Sequence, residues 1–469
     1  MLEDVVCMAV TTSSISLNQR FGSGSLGTMA RLAVVCLACV VVGFLLIVLA
    51  YCVPTSPMEK NLKESVEQLS AEGEYHALIG SDSTWTLDNY TVAAMLNQAA
   101  HGHSDPLRYA MLNPHAGEGE TQIDQLSLGI GESDGKLPVY SQYWHGYLVF
   151  LKPLLLLLNL EQIRMFALMT CSVLVLLVAV LLARRGEAVA GVAFGVSFVA
   201  FNVVVTMFSL SLAACTFLAL AGTLVVLWQT ERRGRTLRGN VGWWTVPFLV
   251  LGATTSYFDF LCAPITTLGV SLAMLVYLSR YDLGKDAVVH AILGVVALSA
   301  CWAVGYAAMW ASKWVIATMI TGQDVIAAGV AKIFERSASR EFEAVDSAQI
   351  SRWDAITKNF DLGFPKWCKP FVALMVAGTA IYVARNAKMG EGQGGTSLWW
   401  MLPLLVVAVF PYAWYFFAAN HSYQHAFFTY RGQVVTLLCV ALCCAGALTR
   451  FNGGAVPGRV PHGDERQGE

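Results

Sequence analysis

Ten apolar runs follow one another along this chain, most of them about 18–22 residues long and separated by short polar turns and two long polar loops. A helix of that length spans ~30 Å of hydrocarbon, so the runs confine the chain to folds built around a bilayer. They show none of the period-2 alternation of a barrel strand, and backbone groups in lipid must bond within their own segment, which leaves helices. The composition agrees: 56% of the residues are hydrophobic and only 13% charged, against about 25% in an ordinary soluble domain. The expected fold class is therefore an all-α polytopic membrane protein of about ten transmembrane helices, with amphipathic or re-entrant helices in large exterior loops.

The spans read from the sequence are Leu32–Val53, Met165–Ala183, Ala188–Phe208, Leu210–Trp228, Trp243–Phe258, Phe260–Leu278, Ala287–Trp310, Phe371–Ala384, Leu398–Phe417 and Val434–Leu448. Basic residues in short loops mark the cytoplasmic side. Arg184/Arg185, the Arg232–Arg238 group, Arg280/Lys285 and Arg385/Lys388 fall in alternate loops, and Arg20, Arg31, Arg450, Arg459 and Arg466 fall on the same side. The turns at Ser209 and Asp259 carry no basic residue. Both termini are then cytoplasmic and the protein is a multi-pass cell-membrane protein, with residues 31–450 as one domain. Its exterior loops run over about 54–164, 311–370 and 418–433. Leu32–Val53 reads as an uncleaved signal anchor, and residues 1–30 and 451–469 as disordered cytoplasmic tails.

Tyr147–Leu160 is apolar but short, with Lys152-Pro153 at its centre, and a span there would invert every later helix. It is expected to be re-entrant or interfacial. Leu62, Val66 and Leu69 recur at helical spacing among charges and predict a surface-lying helix. The twelve cysteines sit mostly inside apolar runs without zinc-type spacing, as small packing residues do. A net charge of −2 gives no reason to expect a nucleic-acid partner.

Polar residues that are unusual in such a chain gather on the exterior side. Asp88, in STWTLDNYTVAAM, is either the N-cap of the helix after it or a catalytic carboxylate, and the roles are compatible. Tyr143, Trp144 and His145 suit an aromatic belt at the membrane surface, while His145 could also hold a phosphate or shuttle a proton. Asp259 lies at a turn between two spans, where a carboxylate is costly unless capped, paired or solvated. Lys313, between Trp310 and Trp314, either snorkels or binds phosphate. The densest group is Asn420–Arg431. His421 and His425 share a helix face but lack a third metal ligand nearby, whereas Arg431 and neighbouring Tyr430 suit an anion site. Plain solvated-loop polarity is the competing reading of that stretch.

One apolar span followed at once by a large exterior loop with an acidic residue, surface helices in that loop, and then many spans resembles the GT-C superfamily of membrane glycosyltransferases. YWHGYLVFLKPLL, SYFDF and NHSYQHAFFTYR are also similar to segments of bacterial membrane proteins of that general type. The resemblance implies transfer of a sugar from a polyprenyl-phosphate donor to an envelope glycan or lipid acceptor, among membrane lipids. It implies Asp88 as the base, and His145, Lys313, His421, His425 and Arg431 as donor-phosphate ligands. Tyr143, Trp144, Asp259 and Tyr430 would line the substrate. The first loop has no adjacent Asp-Asp or Asp-Glu pair, so a divalent metal is compatible with the family but is not indicated here, and the cofactor stays open. A lipid transporter or flippase, and a non-catalytic assembly protein docking through Asp324–Arg340, are the other two readings. The nearly charge-free centres of the spans and the lack of an internal repeat weigh against transport.

Overall fold

The computed structural model describes residues 24–80, 83–102, 105–131, 137–338, 351–387 and 398–451. Among them the only β-structure is two isolated bridges, Ala77–Thr86 and Pro114–Val139. The chain opens with α1 (Gly24–Tyr51), whose first turns take up residues expected to belong to a tail; the rest of both expected tails lies outside the described residues. Most of α1 is apolar and exposed, with Val34, Leu37, Val42 and Leu49 all outward. An apolar surface of that size belongs against lipid rather than water.

The first long loop is itself a helical layer, made of α2 (Glu59–Glu72), α3 (Asn89–Ala100), α4 (Pro106–Leu112), α5 (Gln122–Gly129) and α6 (Leu148–Leu155). Leu62, Ser65 and Leu69 of α2 face inward while its charges face out, as the spacing predicts. With eight residues and Pro153 inside it, α6 is about 12 Å long and too short to cross a bilayer. Asn159 then starts α7 (Leu160–Arg184) with a reciprocal capping box to Gln162.

The remaining helices are α8 (Ala188–Ala200), α9 (Val203–Phe208), α10 (Leu210–Arg233), α11 (Val241–Phe258), α12 (Ile265–Leu278), α13 (Val288–Thr321), α14 (Val325–Ser337), α15 (Arg352–Gly363), α16 (Lys369–Ala387), α17 (Met401–Ala408), α18 (Phe410–Phe417), α19 (Ala419–Gln424), α20 (Ala426–Thr429) and α21 (Val434–Phe451).

Among the described residues, six helical stretches are long and apolar enough to cross a membrane: Gly27–Tyr51, Leu160–Arg184, Leu210–Arg233, Lys285–Thr321, Leu398–Phe417 and Ala426–Leu448. Three other expected spans are shorter apolar helices, Ala188–Ala200, Ile265–Leu278 and Lys369–Ile381. The run Ala188–Phe208 is not one helix, because Asn202 takes a left-handed backbone (φ +58°) and caps α9 through Val205 N. The run from Phe260 becomes helical only after Pro264, which cannot continue a hydrogen-bonded turn. The helix through Trp310 does not stop there. It continues to Thr321, so the second long loop starts about ten residues later than its polarity indicated.

Two large apolar cores result among the described residues, beside a small cluster of Leu212, Cys262 and Phe428. One joins α7, α8, α10, α12, α17 and α21; the other seats the first loop against α1, α11 and α13. Helices α11 and α13 cross where each has a glycine. A Cβ on Gly252 would stand 1.9 Å from Trp302 O, and one on Gly305 2.1 Å from Leu249 O. Small residues permit that approach in a membrane bundle, where close packing replaces the hydrophobic drive.

Candidate functional site

The long loops meet at one end of the bundle, and most of the residues singled out in the sequence meet there with them. Asp88 is buried and caps α3: its Oδ1 accepts from Thr91 N at 3.2 Å and from Thr91 Oγ1 at 2.9 Å. Its Oδ2 accepts from Ser211 Oγ at 2.8 Å, at the start of α10, and its own N–H donates to Ser209 Oγ at 3.0 Å. Burial raises the Asp88 carboxyl above the ordinary carboxylate range, opposed by Thr91, Ser211 and the nearby charge of Arg431. An ionised carboxylate has about four acceptor sites. Three are taken here, which leaves one.

Arg431 comes to this carboxylate from the far end of the chain. Its Nη1 donates to Phe427 O at 2.7 Å and its Nη2 to Thr84 O at 3.1 Å, four residues before Asp88. Its Nε is buried without a hydrogen-bond partner, and no carboxylate among the described residues forms an ion pair with it. Thr84 O also accepts from Asn202 Nδ2 at 2.9 Å and lies 3.5 Å from the Tyr430 hydroxyl. One carbonyl thus gathers the first loop, the α8–α9 break and the last turn. Arg431 lines a cavity of ≈ 30 Å³ with Phe198, Val203, Cys215, Thr266 and Phe428. That is room for about one water, so a substrate would have to displace a wall.

The turn after α11 supplies the second carboxylate. Asp259 is buried; its Oδ1 accepts from Cys262 N at 3.1 Å, its Oδ2 has no hydrogen bond of ordinary geometry, and the Cys215 thiol stands beside the carboxyl. Burial pushes its pKa up to about 6. The bond to Cys262 closes a local turn rather than capping α12, which begins only at Ile265. Leu261 in this turn has φ +65°, an uncommon conformation for a bulky residue and a mark of imposed geometry.

That strained turn presents the Leu261 carbonyl to His421 Nε2 at 2.8 Å. The carbonyl can only accept, so the His421 proton sits on Nε2 and Nδ1 is left as an acceptor. Arg336 fills the need: its Nη1 lies 3.3 Å from both His421 Nδ1 and His425 Nε2. Burial, assisted by Arg336, holds His425 down to about 4 and His421 well below its usual range. Two neutral imidazoles therefore solvate one guanidinium, whose buried Nε has no partner. Among the described residues no three His, Cys, Asp or Glu side chains group as a metal site.

Arg336 was not singled out in the sequence. A lone arginine on the amphipathic α14 looks like any solvated charge, and only the docking of α14 on α19, with Asn420 Nδ2 donating to Glu335 O at 3.0 Å, turns it inward. The serines that hold Asp88 carried no signal either. The Asn420–Arg431 stretch is not a solvated loop, since Asn420, His421, Thr429, Tyr430 and Arg431 are all buried.

Other expected residues have structural ties. Lys313 does not reach for solvent: it is fully buried, its Nζ donating to Ala110 O at 2.8 Å and Met111 O at 3.1 Å in the last turn of α4. Trp144 is buried in the loop core rather than lying in an interfacial belt, with Nε1 donating to Met309 O at 2.6 Å. His145 is caged by the rings of Tyr140, Tyr143, Tyr147 and Phe260; its Nε2 faces Tyr140 O at 2.9 Å and its Nδ1 faces the Tyr147 hydroxyl. Burial brings it down to about 3. Tyr143 stacks on Trp310 and its hydroxyl meets Arg336, which leaves it on the site's edge.

Beside Asp88, Tyr90 and Tyr75 stack at 6.1 Å with their planes 9° apart, both substantially exposed, and Phe427 meets Tyr75 edge-on. This aromatic face borders the polar cluster and was missed in the sequence because its members are distant along the chain. No family model, curated protein or solved structure matches the chain.

Proposed function

We propose that this chain is an integral membrane glycosyltransferase, moving a sugar from a polyprenyl-phosphate donor to an envelope acceptor on the exterior face, with both termini cytoplasmic. The observation that carries the reading is the convergence of Asp88 with Arg431, 343 positions apart in number but coupled electrostatically across one buried cluster. A carboxylate with an acceptor site to spare beside a guanidinium with an unused donor is what such a transfer requires. Asp88 takes the proton of the acceptor hydroxyl as that oxygen bonds to the anomeric carbon. The bond from that carbon to the phosphate oxygen breaks, and the lipid phosphate leaves with the electron pair.

Arg431 and Arg336 stabilise the charge growing on the leaving phosphate, and buried donors of this kind are worth about 10²–10³ in rate. The Tyr75–Tyr90 face gives a sugar ring an apolar surface to lie on. Lys313, His145 and Trp144 stay outside this assignment as supports of the loop layer, and Asp259 remains a substrate-side carboxylate.

The test uses the full chain in nanodiscs with a panel of polyprenyl-phosphate sugars and envelope fragments as acceptors. The expected result is sugar transfer by the wild type and a drop of about 10²-fold or more with Asp88→Asn. Equal product with Asp88→Asn, in protein of equal abundance, would sink the assignment.

Lipid transport is the second reading, because the break at Asn202 resembles the discontinuous helices of transporters. A proteoliposome assay separates the two. Lipid-phosphate movement between leaflets that is unchanged by Asp88→Asn favours transport.

A further inference from the structure

The proposed phosphate site has an apolar neighbour with the shape to take the rest of the same molecule. Helices α7 and α8 are packed tightly at one level, where a Cβ on Gly191 would stand 2.7 Å from Ala179 O. One turn further along α8 they have parted: a Cβ on Gly195 would meet nothing nearer than Val175 Cγ1 at 4.0 Å. The gap is part of a groove of ≈ 880 Å³ walled by Val175, Leu176, Val192, Val196 and Val199, with Ser172 its one hydroxyl-bearing residue. That volume lies within the ~300–1,000 Å³ of sites that bury a whole ligand.

Two residues decide where the groove leads. Phe198 and Val203 line it and also line the small cavity that holds Arg431. They flank the α8–α9 break, where Asn202 turns the backbone and bonds the carbonyl that Arg431 also holds. A continuous α8 would have carried the helix past this point. The break instead sets an apolar channel and a guanidinium on opposite sides of a two-residue partition.

We infer that the α7–α8 groove seats the hydrocarbon chain of a polyprenyl phosphate, running from Val180 toward Phe198 and Val203, with the phosphate end at Arg431. The occupant is a lipid phosphate with a tail free of polar groups, because the groove that shares Phe198 and Val203 with the Arg431 cavity is walled by apolar side chains and offers glycerol esters no donor beyond the Ser172 hydroxyl. Phe198 and Val203 form the partition that must swing aside for the phosphate to reach Arg431. This inference rests on the reading of Arg431 as the phosphate ligand.

The experiment titrates the full chain, in nanodiscs of zwitterionic lipid, with a long-chain polyprenyl monophosphate, counting retained lipid by native mass spectrometry. Gly195→Phe fills the groove from α8, and Val199→Trp fills it from a second position whose side chain is already exposed. Each is expected to lower retention about tenfold. Leu37→Phe, on the lipid-facing surface of α1, should leave it unchanged, and phosphatidic acid at equal mole fraction should not displace the bound lipid.

If Arg431→Ala abolishes retention while both groove variants retain lipid like the wild type, the phosphate site stands and the groove assignment is overturned. Mole-for-mole displacement by phosphatidic acid also overturns it, since the groove is then a general lipid contact. Failure of the wild type to retain polyprenyl phosphate at all removes the Arg431 reading and the groove together.

Discussion

Asp88 has two jobs that substitution can separate. As an N-cap it needs only a side-chain oxygen, and asparagine caps about as well as aspartate. Asp88→Asn should therefore melt within about 1 kcal/mol of the wild type in detergent while losing transfer, whereas Asp88→Ala should lose about 1–2 kcal/mol as well. The buried histidines make a different prediction. His425 has its pKa lowered from an ordinary 6.5 to about 4, so between those values the unfolded chain binds a proton that the folded chain refuses. Its contribution to stability is present above pH 6.5 and is lost as the pH falls toward 4. Melting temperatures at pH 7 and pH 5 should differ less in His425→Gln than in the wild type, and an equal difference would mean that burial and the Arg336 contact do not keep this ring neutral. At this scale the sequence was informative about residue type and silent about commitment. Lys313 and Arg431 are both lone cations in largely apolar stretches, but the α4 carbonyls take up one ammonium, while the other side chain keeps a spare donor. That difference depends on which distant backbone arrives.

At the scale of elements, an ion pair between buried Arg164 and partly buried Glu72 adds to the apolar contacts and hydrogen bonds that hold the loop layer to the bundle. Arg164 of α7 donates from Nη1 to both Glu72 oxygens, at 3.0 and 2.9 Å, from Nη2 to Asn89 Oδ1 at 2.6 Å and from Nε to Phe208 O at 2.8 Å. It thereby pins α2, α3 and α9 to α7, and Asn89 adjoins Asp88. Replacing Arg164 leaves the partly buried Glu72 carboxylate without its charge partner. Arg164→Met should accordingly speed proteolysis of the loop layer and lower the melting temperature, and adding Glu72→Met should recover part of the loss. A double variant no more stable than Arg164→Met alone would show that the hydrogen bonds to Asn89 and Phe208, not the charge pair, do the holding. Helix positions were legible from apolar length, and the surface helix α2 from its spacing. The break at Asn202 was not, since a single asparagine within an apolar run is equally suited to an interhelical hydrogen bond.

Across the whole molecule, the arrangement asks that residue 75 and residue 235 face opposite sides of the membrane. Single cysteines replacing Tyr75 and Arg235, in a chain whose described native cysteines are mostly buried or half-buried, should react with an impermeant maleimide from outside and only after lysis, respectively. Reaction of both from one side would overturn the proposed orientation and the exterior site with it. Apolar length and the alternation of arginines are local properties of the chain, summed over one helix or one loop, and they are enough to establish an all-helical chain with helices able to cross a membrane. The cluster of Asp88, Asp259, Arg336, His421 and Arg431 is of another kind. Each member is a common polar residue with several ordinary roles, and what distinguishes it is the set of donors and acceptors that folding brings within about 3 Å. Those partners come from Thr84, Ser211, Leu261 and Phe427, on segments far apart in the chain, so only the packed tertiary structure decides which charges are spent on holding the fold and which remain to meet a substrate.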